Sequence, residues 1–243
     1  MIYTDVTSRA LTYLLKRPGL HIDMTESIYR GLAEIRYAEP DGVLQLVHAH
    51  STGAPVLYQL SADTREAAEK LLPLITLKIP VVAHQACCVE AVTARRDQLV
   101  SSCIQALWPT FAPPPANPAV EIWPLDLGDL PVVEQHYDLI ENPTELAERI
   151  TSGGMYGACV EDRLAGFIGV HTEGAMGMLT VLEEYRGRGI GSALLTYLVR
   201  QELRRGHVPY SQIFRENRVS MALQKKVGMA LQPETIWWLL PKQ

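Results

Sequence analysis

Cysteines and long apolar runs are scarce in this sequence. The chain has 4 cysteines among 243 residues. None are paired as C-x-x-C, which argues against a zinc site and a disulfide framework, so we expect no metal and reduced thiols. The sequence also lacks the roughly eighteen successive apolar residues that a membrane span needs. The first residues lack the basic and apolar regions of a signal peptide, which favours a cytoplasmic protein.

An excess of positive charge is also missing. The formal net charge is −5 at pH 7, which argues against nonspecific binding of nucleic acid. With 47% hydrophobic and 20% charged residues, the composition is that of an ordinary globular protein. The length allows two domains or one large domain.

Prolines mark the clearest boundary along the chain. Residues 111–118 contain 4 prolines, and such a segment cannot continue a helix or a central strand. We therefore expect an extended linker at 113–118. It would join a first domain of residues 1–112 to a second domain of residues 119–243.

The first domain shows helical and strand patterns in mixed order. Asp23 can cap a helix, since Glu26 follows three residues later and Met24, Ile28 and Leu32 share one face. We expect helices at 5–16, 23–35, 64–72 and about 87–95, and strands at 43–48, 56–60, 81–84 and 103–107.

The second domain alternates more regularly between the two kinds of element. Strands joined by helices predict an α/β fold with a mixed sheet and helices on both faces. We expect strands at 120–123, 155–160, 164–171, 175–182, 209–214 and 235–240, and helices near 127–137, 144–150, 189–204 and 219–227.

A glycine-rich turn, Arg-Gly-Arg-Gly-Ile-Gly at 186–191, connects a predicted strand to a predicted helix. Its three glycines let the backbone approach a ligand closely. The first N–H groups of the helix lack intrahelical acceptors, and with the helix dipole they form an anion site suited to a pyrophosphate. The two arginines add positive charge beside that site.

The spacing of this turn does not fit a dinucleotide-binding fingerprint. That fingerprint is G-x-G-x-x-G with an acidic residue on the next strand, whereas the predicted strand at 209–214 has no carboxylate. The pattern Arg186-x-x-Gly189-x-Gly191 resembles instead the acyl-CoA signature of the GNAT superfamily of N-acyltransferases. Residues 215–229 resemble that family's next helix.

Two further features resemble particular members of that superfamily. Residues 206–210 and the pair Trp237-Trp238 look like the glycine N-acyltransferase-like branch. The element order of residues 1–112 resembles a smaller, degenerate GNAT-like half that precedes the GNAT-type domain.

The degenerate half has Ser61-Ala62-Asp63 after its strand, where a glycine turn would stand. Ser61 or Asp63 could cap the next helix, and Asp63 would repel an anion. We therefore expect an accessory domain that binds no CoA, with a second active site as the alternative.

The resemblance implies an acyl-CoA-dependent N-acyltransferase. Its simplest form transfers acetyl from acetyl-CoA to a small amine or amino acid by direct attack in a ternary complex, without metal. The resemblance also implies a backbone N–H, that of Leu179, facing the oxyanion. The implied cofactor-binding residues are Leu179, Thr180, Val181, Arg186, Gly187, Arg188, Gly189, Ile190, Gly191, Ser192 and Asn217. Arg188 could equally be a solvated arginine, and Asn217 a helix cap.

The acid–base residues depart from the family's pattern. Ala175 stands where many members have a catalytic glutamate. Glu173 and His171 lie two and four residues earlier, on the same face of a strand, and either could accept the proton of the amine. Alternatively, both only close the hairpin. Gln224 stands where the family often has a tyrosine acid, and it cannot supply a proton.

Charge is divided unevenly in the second domain. Residues 117–185 contain 2 Lys/Arg and 13 Asp/Glu, whereas residues 186–230 contain 9 and 2. The basic segment could face CoA phosphates and the acidic segment attract a cationic amine, or both could be solvated helix faces.

Two other functions stay open at this level. A non-catalytic CoA-binding or regulatory module would explain the departures at Ala175 and Gln224. A peptide or protein N-acetyltransferase would suit the acidic segment. A monomer and a homodimer both fit the sequence.

Overall fold

The computed structural model describes residues 5–117, 119–137 and 143–242. The helices are α1 (Asp5–Leu14), α2 (Ile22–Tyr29), α3 (Arg65–Leu71), α4 (Ala86–Thr93), α5 (Leu130–His136), α6 (Pro143–Thr151), α7 (Ile190–Arg204) and α8 (Arg218–Val227). The strands are β1 (Ala33–Glu39), β2 (Gly42–His48), β3 (Pro55–Ala62), β4 (Val81–Ala83), β5 (Gln98–Leu107), β6 (Glu121–Pro124), β7 (Met155–Val160), β8 (Arg163–Val170), β9 (Met176–Val181), β10 (Tyr210–Phe214) and β11 (Ala230–Pro241).

Over the described residues, these strands form two sheets. One has seven strands in the order β1-β2-β3-β4-β11-β5-β10, and the other has four in the order β6-β7-β8-β9. Parallel and antiparallel pairs both occur, since β3 runs parallel to β4 while β11 runs antiparallel to it. This confirms the predicted mixed α/β class.

The chain forms two compact units, and each is discontinuous in sequence. The predicted domain limits around 113–118 separate segments of sequence, whereas the units group residues by proximity, so those limits stay a prediction. Unit 1 comprises Met1–Gln105, Gln212–Asn217 and Leu231–Gln243, and unit 2 comprises Ala106–Ser211 and Arg218–Ala230.

Unit 1 is built on the long sheet, into which the end of the chain is inserted. Trp238 of β11 pairs with Val82 of β4. Trp237 packs against the apolar cluster that includes Leu60, and Trp238 packs against the separate cluster that includes Val82. The two tryptophans therefore fill the cores on opposite faces of the sheet, as successive strand residues must.

The predicted helix at 23–35 is wrong in its second half. Helix α2 ends at Tyr29 and β1 begins at Ala33. Gly31 has φ 72° and its N–H bonds to the Ile28 carbonyl at 3.0 Å. This left-handed glycine terminates the helix, and the chain leaves in an extended conformation.

The predicted capping role of Asp23 is also wrong. The helix starts one residue earlier, at Ile22, and its N-cap residue has no side-chain cap bond. Asp23 is fully buried, and His84 Nε2 lies 2.8 Å from its carboxylate. Glu26, expected in a capping box, instead accepts from Arg30 Nε at 3.2 Å.

Unit 2 is built on the antiparallel four-stranded sheet. Its core contains Phe167 of β8 and Met178 of β9, against which Leu146 and Ile150 of α6 pack. Helix α7 buries Ile190, Leu194, Leu195 and Leu198. Over the described residues, β9 has a hydrogen-bonded neighbour on one side, β8, so its other edge is open.

Candidate functional site

The glycine turn adopts two left-handed conformations. Gly187 has φ 77° and Gly189 has φ 80°. A Cβ at either position would meet no atom within 4 Å, so backbone conformation, not space, requires glycine there. Gly191 differs, because its Cβ would lie at an ordinary 3.5 Å from Leu223 and from Val181. Alanine should therefore be tolerated at Gly191.

The first peptide N–H groups of α7 lack a cap. Gly189 is the N-cap residue and provides no side-chain hydrogen bond. The N–H of Ala193 bonds to the Gly189 carbonyl at 3.1 Å, so the N–H groups of 190–192 point beyond the helix end. With the dipole of a 15-residue helix, this end suits an anion.

Two arginines lie beside this helix end. Arg186 Nε donates to the Val181 carbonyl at 3.2 Å. The Arg188 guanidinium lies 5.5 Å from the centroid of the Tyr185 ring. Both side chains are exposed, so each keeps nitrogen atoms available to a phosphate while one contact limits its motion.

Strand β9 leads into the turn and contains a bulge. The pairing of β8 with β9 is irregular between Phe167 and Gly169, opposite Met178 and Leu179. Met178 has φ 56°, which is uncommon for a residue other than glycine. A bulge leaves an extra residue unpaired and turns its peptide. Leu179, expected to present its N–H, therefore lies where the ladder is interrupted.

His171 follows β8 directly and lies against β9. A Cβ on Gly177 would fall 2.3 Å from His171 Nε2, so the imidazole covers the Gly177 backbone. Burial lowers the pKa of His171 to about 4, with the charge of Glu145 opposing this shift and the charge of Arg149 adding to it. The ring is therefore neutral at pH 7, as a proton acceptor must be.

Glu173 does not lie on a strand, contrary to the prediction. The strand expected to start at 175 begins at Met176. Glu173 is in the turn between β8 and β9, 7% exposed. Its backbone carbonyl accepts from the Tyr210 hydroxyl at 2.9 Å. Gly174, with φ 97°, closes this turn, so the two-residue spacing to Ala175 does not give Glu173 the same facing.

Helix α6 contributes two residues that the sequence reasoning missed. Glu145 accepts from Thr172 Oγ1 at 3.4 Å. Arg149 lies one helical turn later and is 6% exposed. Their i, i+4 spacing on a predicted helix was the available signal, but only the fold brings them to His171.

The structure also places Gln224 and Asn217. Gln224 is buried, and its Nε2 donates to Ser211 Oγ at 3.1 Å, so it holds α8 to β10. Asn217 is exposed, belongs to unit 1 and immediately precedes α8, the position of a helix cap.

The turn after β3 in unit 1 is closed. Thr64, not Ser61 or Asp63, caps α3, and its Oγ1 accepts from the Ala67 N–H at 3.2 Å. Asp63 accepts from the Tyr13 hydroxyl at 2.9 Å. This helix end therefore has less to offer an anion than the end of α7.

Two observations cover the described residues as a whole. They contain no cluster of three or more histidine, cysteine or acidic residues placed to hold a metal ion. Their helices are too short or too polar to cross a bilayer.

Residues 119–229 match the model of the acetyltransferase (GNAT) family. These residues are a GNAT-superfamily acetyltransferase domain, and the match spans the glycine turn. No curated protein matches the sequence significantly.

Several solved structures share the fold. A Drosophila protein superposes with a TM-score of 0.68 at 17% identity, over 97% of this chain and 95% of that chain. A GNAT-family protein from Novosphingobium aromaticivorans gives 0.54 at 18% identity, over 94% and 99%. A GCN5-related N-acetyltransferase-like protein from Streptococcus suis gives 0.55 at 11%, over 96% and 99%. At these identities the likeness shows the fold alone.

Proposed function

We propose that unit 2 transfers an acetyl group from acetyl-CoA to the primary amine of a small molecule, an amine or an amino acid. The observation that carries the proposal is the uncapped start of α7 behind Gly187 and Gly189, within the segment that matches the acetyltransferase family. Peptide N-acetylation is the nearest alternative for the acceptor.

Acetyl-CoA binds in two parts under this proposal. Its pyrophosphate lies on the N–H groups of residues 187–192, with Arg186 and Arg188 beside it. Its pantetheine arm lies along the open edge of β9, at Leu179, Thr180 and Val181, where an extended group can add backbone hydrogen bonds. Asn217 would contact the same arm.

The chemistry needs one base and one oxyanion donor. The amine nitrogen attacks the thioester carbonyl carbon, and His171 accepts the amine proton, with Glu173 as the other candidate. The Leu179 N–H donates to the oxyanion. The C–N bond forms, the C–S bond breaks, and the CoA thiolate leaves and takes a proton from water, since Gln224 cannot supply one.

Two finer assignments belong to the same proposal. The chain would fall in the glycine N-acyltransferase-like branch, supported by residues 206–210 and the Trp237-Trp238 pair. Residues 1–112 would be a degenerate GNAT-like accessory domain, which the Thr64 cap supports because it occupies a donor that an anion would need.

The deciding experiment is calorimetric titration with acetyl-CoA. Gly189→Asp places a carboxylate at the expected pyrophosphate and should abolish binding. Gly206→Asp is the matched control, because Gly206 has the same φ of 80° and the same open surroundings just beyond the other end of α7. Equal binding by all three proteins, or no binding by the unaltered protein, would refute the proposal.

A non-catalytic CoA-binding module is the second candidate, favoured by the buried Gln224–Ser211 bond where an acid would stand. Thiol release separates the two functions. Binding of acetyl-CoA without thiol release against any amine would support the module.

A further inference from the structure

Arg149 is a buried arginine whose side chain has no hydrogen-bond or ion-pair partner among the residues that the structure describes. It is 6% exposed, and its Nε is buried with no hydrogen-bond partner. Among the described residues of unit 2, ion pairs join Glu202 to Arg205 and to His207, and Arg149 takes part in neither. A guanidinium cannot lose its proton, and burying it without a counter-charge is costly. An anionic ligand would supply a counter-charge to such a side chain.

The backbone of Arg149 is connected by hydrogen bonds to the end of β8, which His171 follows. Its carbonyl accepts from the Gly154 N–H at 2.9 Å, and the Gly154 carbonyl accepts from the Val170 N–H at 3.0 Å. Val170 ends β8 and His171 follows it. The charge of Arg149 also acts on the pKa of His171. The backbone of Arg149 is therefore two hydrogen bonds away from the strand end that carries the proposed base, and its charge reaches that base.

Glu145 adds a negative charge near Arg149 and His171. It lies one helical turn before Arg149, is bonded to Thr172, and acts on the pKa of His171. Glu145 and Arg149 form no ion pair with each other, although i, i+4 residues can meet. A carboxylate and a guanidinium on one helix, whose charges both act on the proposed base, match the ammonium and carboxylate of an amino acid.

We infer that Arg149 binds a carboxylate carried by one of the two substrates. The acceptor class that fits Glu145, Arg149 and His171 is an amino acid. The planar guanidinium binds a carboxylate through two parallel hydrogen bonds. This inference rests on the proposed function. The same carboxylate chemistry could also come from a dicarboxylic acyl group on CoA.

The test compares each standard amino acid with its α-amide in thiol release from acetyl-CoA. For the unaltered protein we expect kcat/KM to be about ten- to a hundredfold higher for the acid. Arg149→Gln should remove this preference by raising KM for acids much more than KM for amides. Arg149→Lys should restore part of it. Arg163→Gln is the control. Arg163 is the other of the two Lys/Arg residues in 117–185, and its side chain is exposed.

A second arm identifies which substrate carries the carboxylate. Succinyl-CoA and acetyl-CoA are compared with amide acceptors. A preference for succinyl-CoA that Arg149→Gln removes would assign the carboxylate to the acyl group and overturn the amino-acid class. If the unaltered protein prefers neither amino acids over their amides nor succinyl-CoA over acetyl-CoA, the inference is overturned. The proposed function still stands in that case if thiol release from acetyl-CoA is normal.

Stability separates a binding residue from a structural one. Arg149→Met removes a buried unpaired charge, so the thermal midpoint should rise by about 2 °C or more. A structural arginine would lower the midpoint when replaced, which would count against the inference. Thermal shifts with amino acids alone are measured on the unaltered protein and Arg149→Gln. They test Arg149 even if acetyl-CoA fails to bind, an outcome that refutes only the proposed function.

Discussion

Two strand-to-helix junctions of this protein can be compared directly, β3 to α3 in unit 1 and β9 to α7 in unit 2. At the first, Thr64 caps the helix and Asp63 is bonded to Tyr13. At the second, Gly189 leaves the helix start without a side-chain cap. The same local topology is thus closed in one unit and open in the other, and only an open helix start can receive an anion.

One buried charge from each unit, Asp23 and Arg149, shows a similar contrast. Asp23 in unit 1 lies 2.8 Å from His84 and accepts from Gln59 at 3.0 Å and from Gln105 at 3.1 Å. Arg149 in unit 2 has an unpartnered Nε. A charge satisfied from within the protein supports the fold, whereas one left unsatisfied costs stability that a ligand can recover.

The largest expected effect tests whether acetyl transfer depends on His171 in unit 2. Gly177→Ala places a Cβ against His171 Nε2 and displaces the ring, so kcat should fall about a hundredfold or more. The dissociation constant for acetyl-CoA should not change. Thiol release and calorimetry measure the two quantities.

His171→Asn is the companion variant. If the alanine acts through the histidine, the double variant should be no slower than His171→Asn alone. Additive losses would contradict this assignment.

A smaller effect is expected from strain at the open junction. Gly189→Ala disfavours the left-handed conformation of the turn by about 1–2 kcal/mol. Because that conformation is the one expected to bind the pyrophosphate, acetyl-CoA should bind about tenfold more weakly. Gly206→Ala carries the same strain beyond the far end of α7 and should leave binding unchanged. Equal losses of affinity in both variants would mean that the helix start is not the phosphate site.

Acid should destabilise both units through one histidine each whose pKa is lowered by desolvation. Burial lowers the pKa of His21 to about 4, aided by the charge of His84, and burial lowers that of His171 to about 4. Between pH 6.5 and 4 the unfolded chain binds protons at both sites and the folded chain does not. Stability should therefore fall as pH drops through this window, by at most about 1.4 kcal/mol per pH unit for each histidine.

Urea unfolding at pH 7 and at pH 5 measures this loss. His21→Gln and His171→Asn should each reduce the pH dependence. A slope that neither variant changes would show that other groups cause it. The rate of acetyl transfer should not decline near pH 6.5 on account of His171.

The smallest effect is expected at the closed junction. Thr64→Ala removes the cap of α3 and should cost about 1 kcal/mol of unfolding free energy. Acetyl-CoA affinity should stay the same, because α3 is not expected to bind CoA. Weaker acetyl-CoA binding in this variant would contradict the separate roles of the two junctions.

Much of unit 2 was predictable because its signals are local. The glycine turn, the helix after it and the strands before it follow from backbone conformation and apolar periodicity. The same reasoning failed at Asp23, where a D-x-x-E pattern predicted a capping box, whereas the carboxylate has partners that lie 36 to 189 residues away. It also placed Glu173 on a strand, because a turn closed by Gly174 was not recognised.

The sequence by itself determined the mixed α/β class, the left-handed glycines of the turn and the absence of a cap at α7, because each depends on neighbours along the chain. Only the tertiary structure decided that His171 covers Gly177 and that Arg149 is buried in the same unit. Those contacts join α6, β8 and β9, and long-range packing, not local propensity, sets which side chains lose water there.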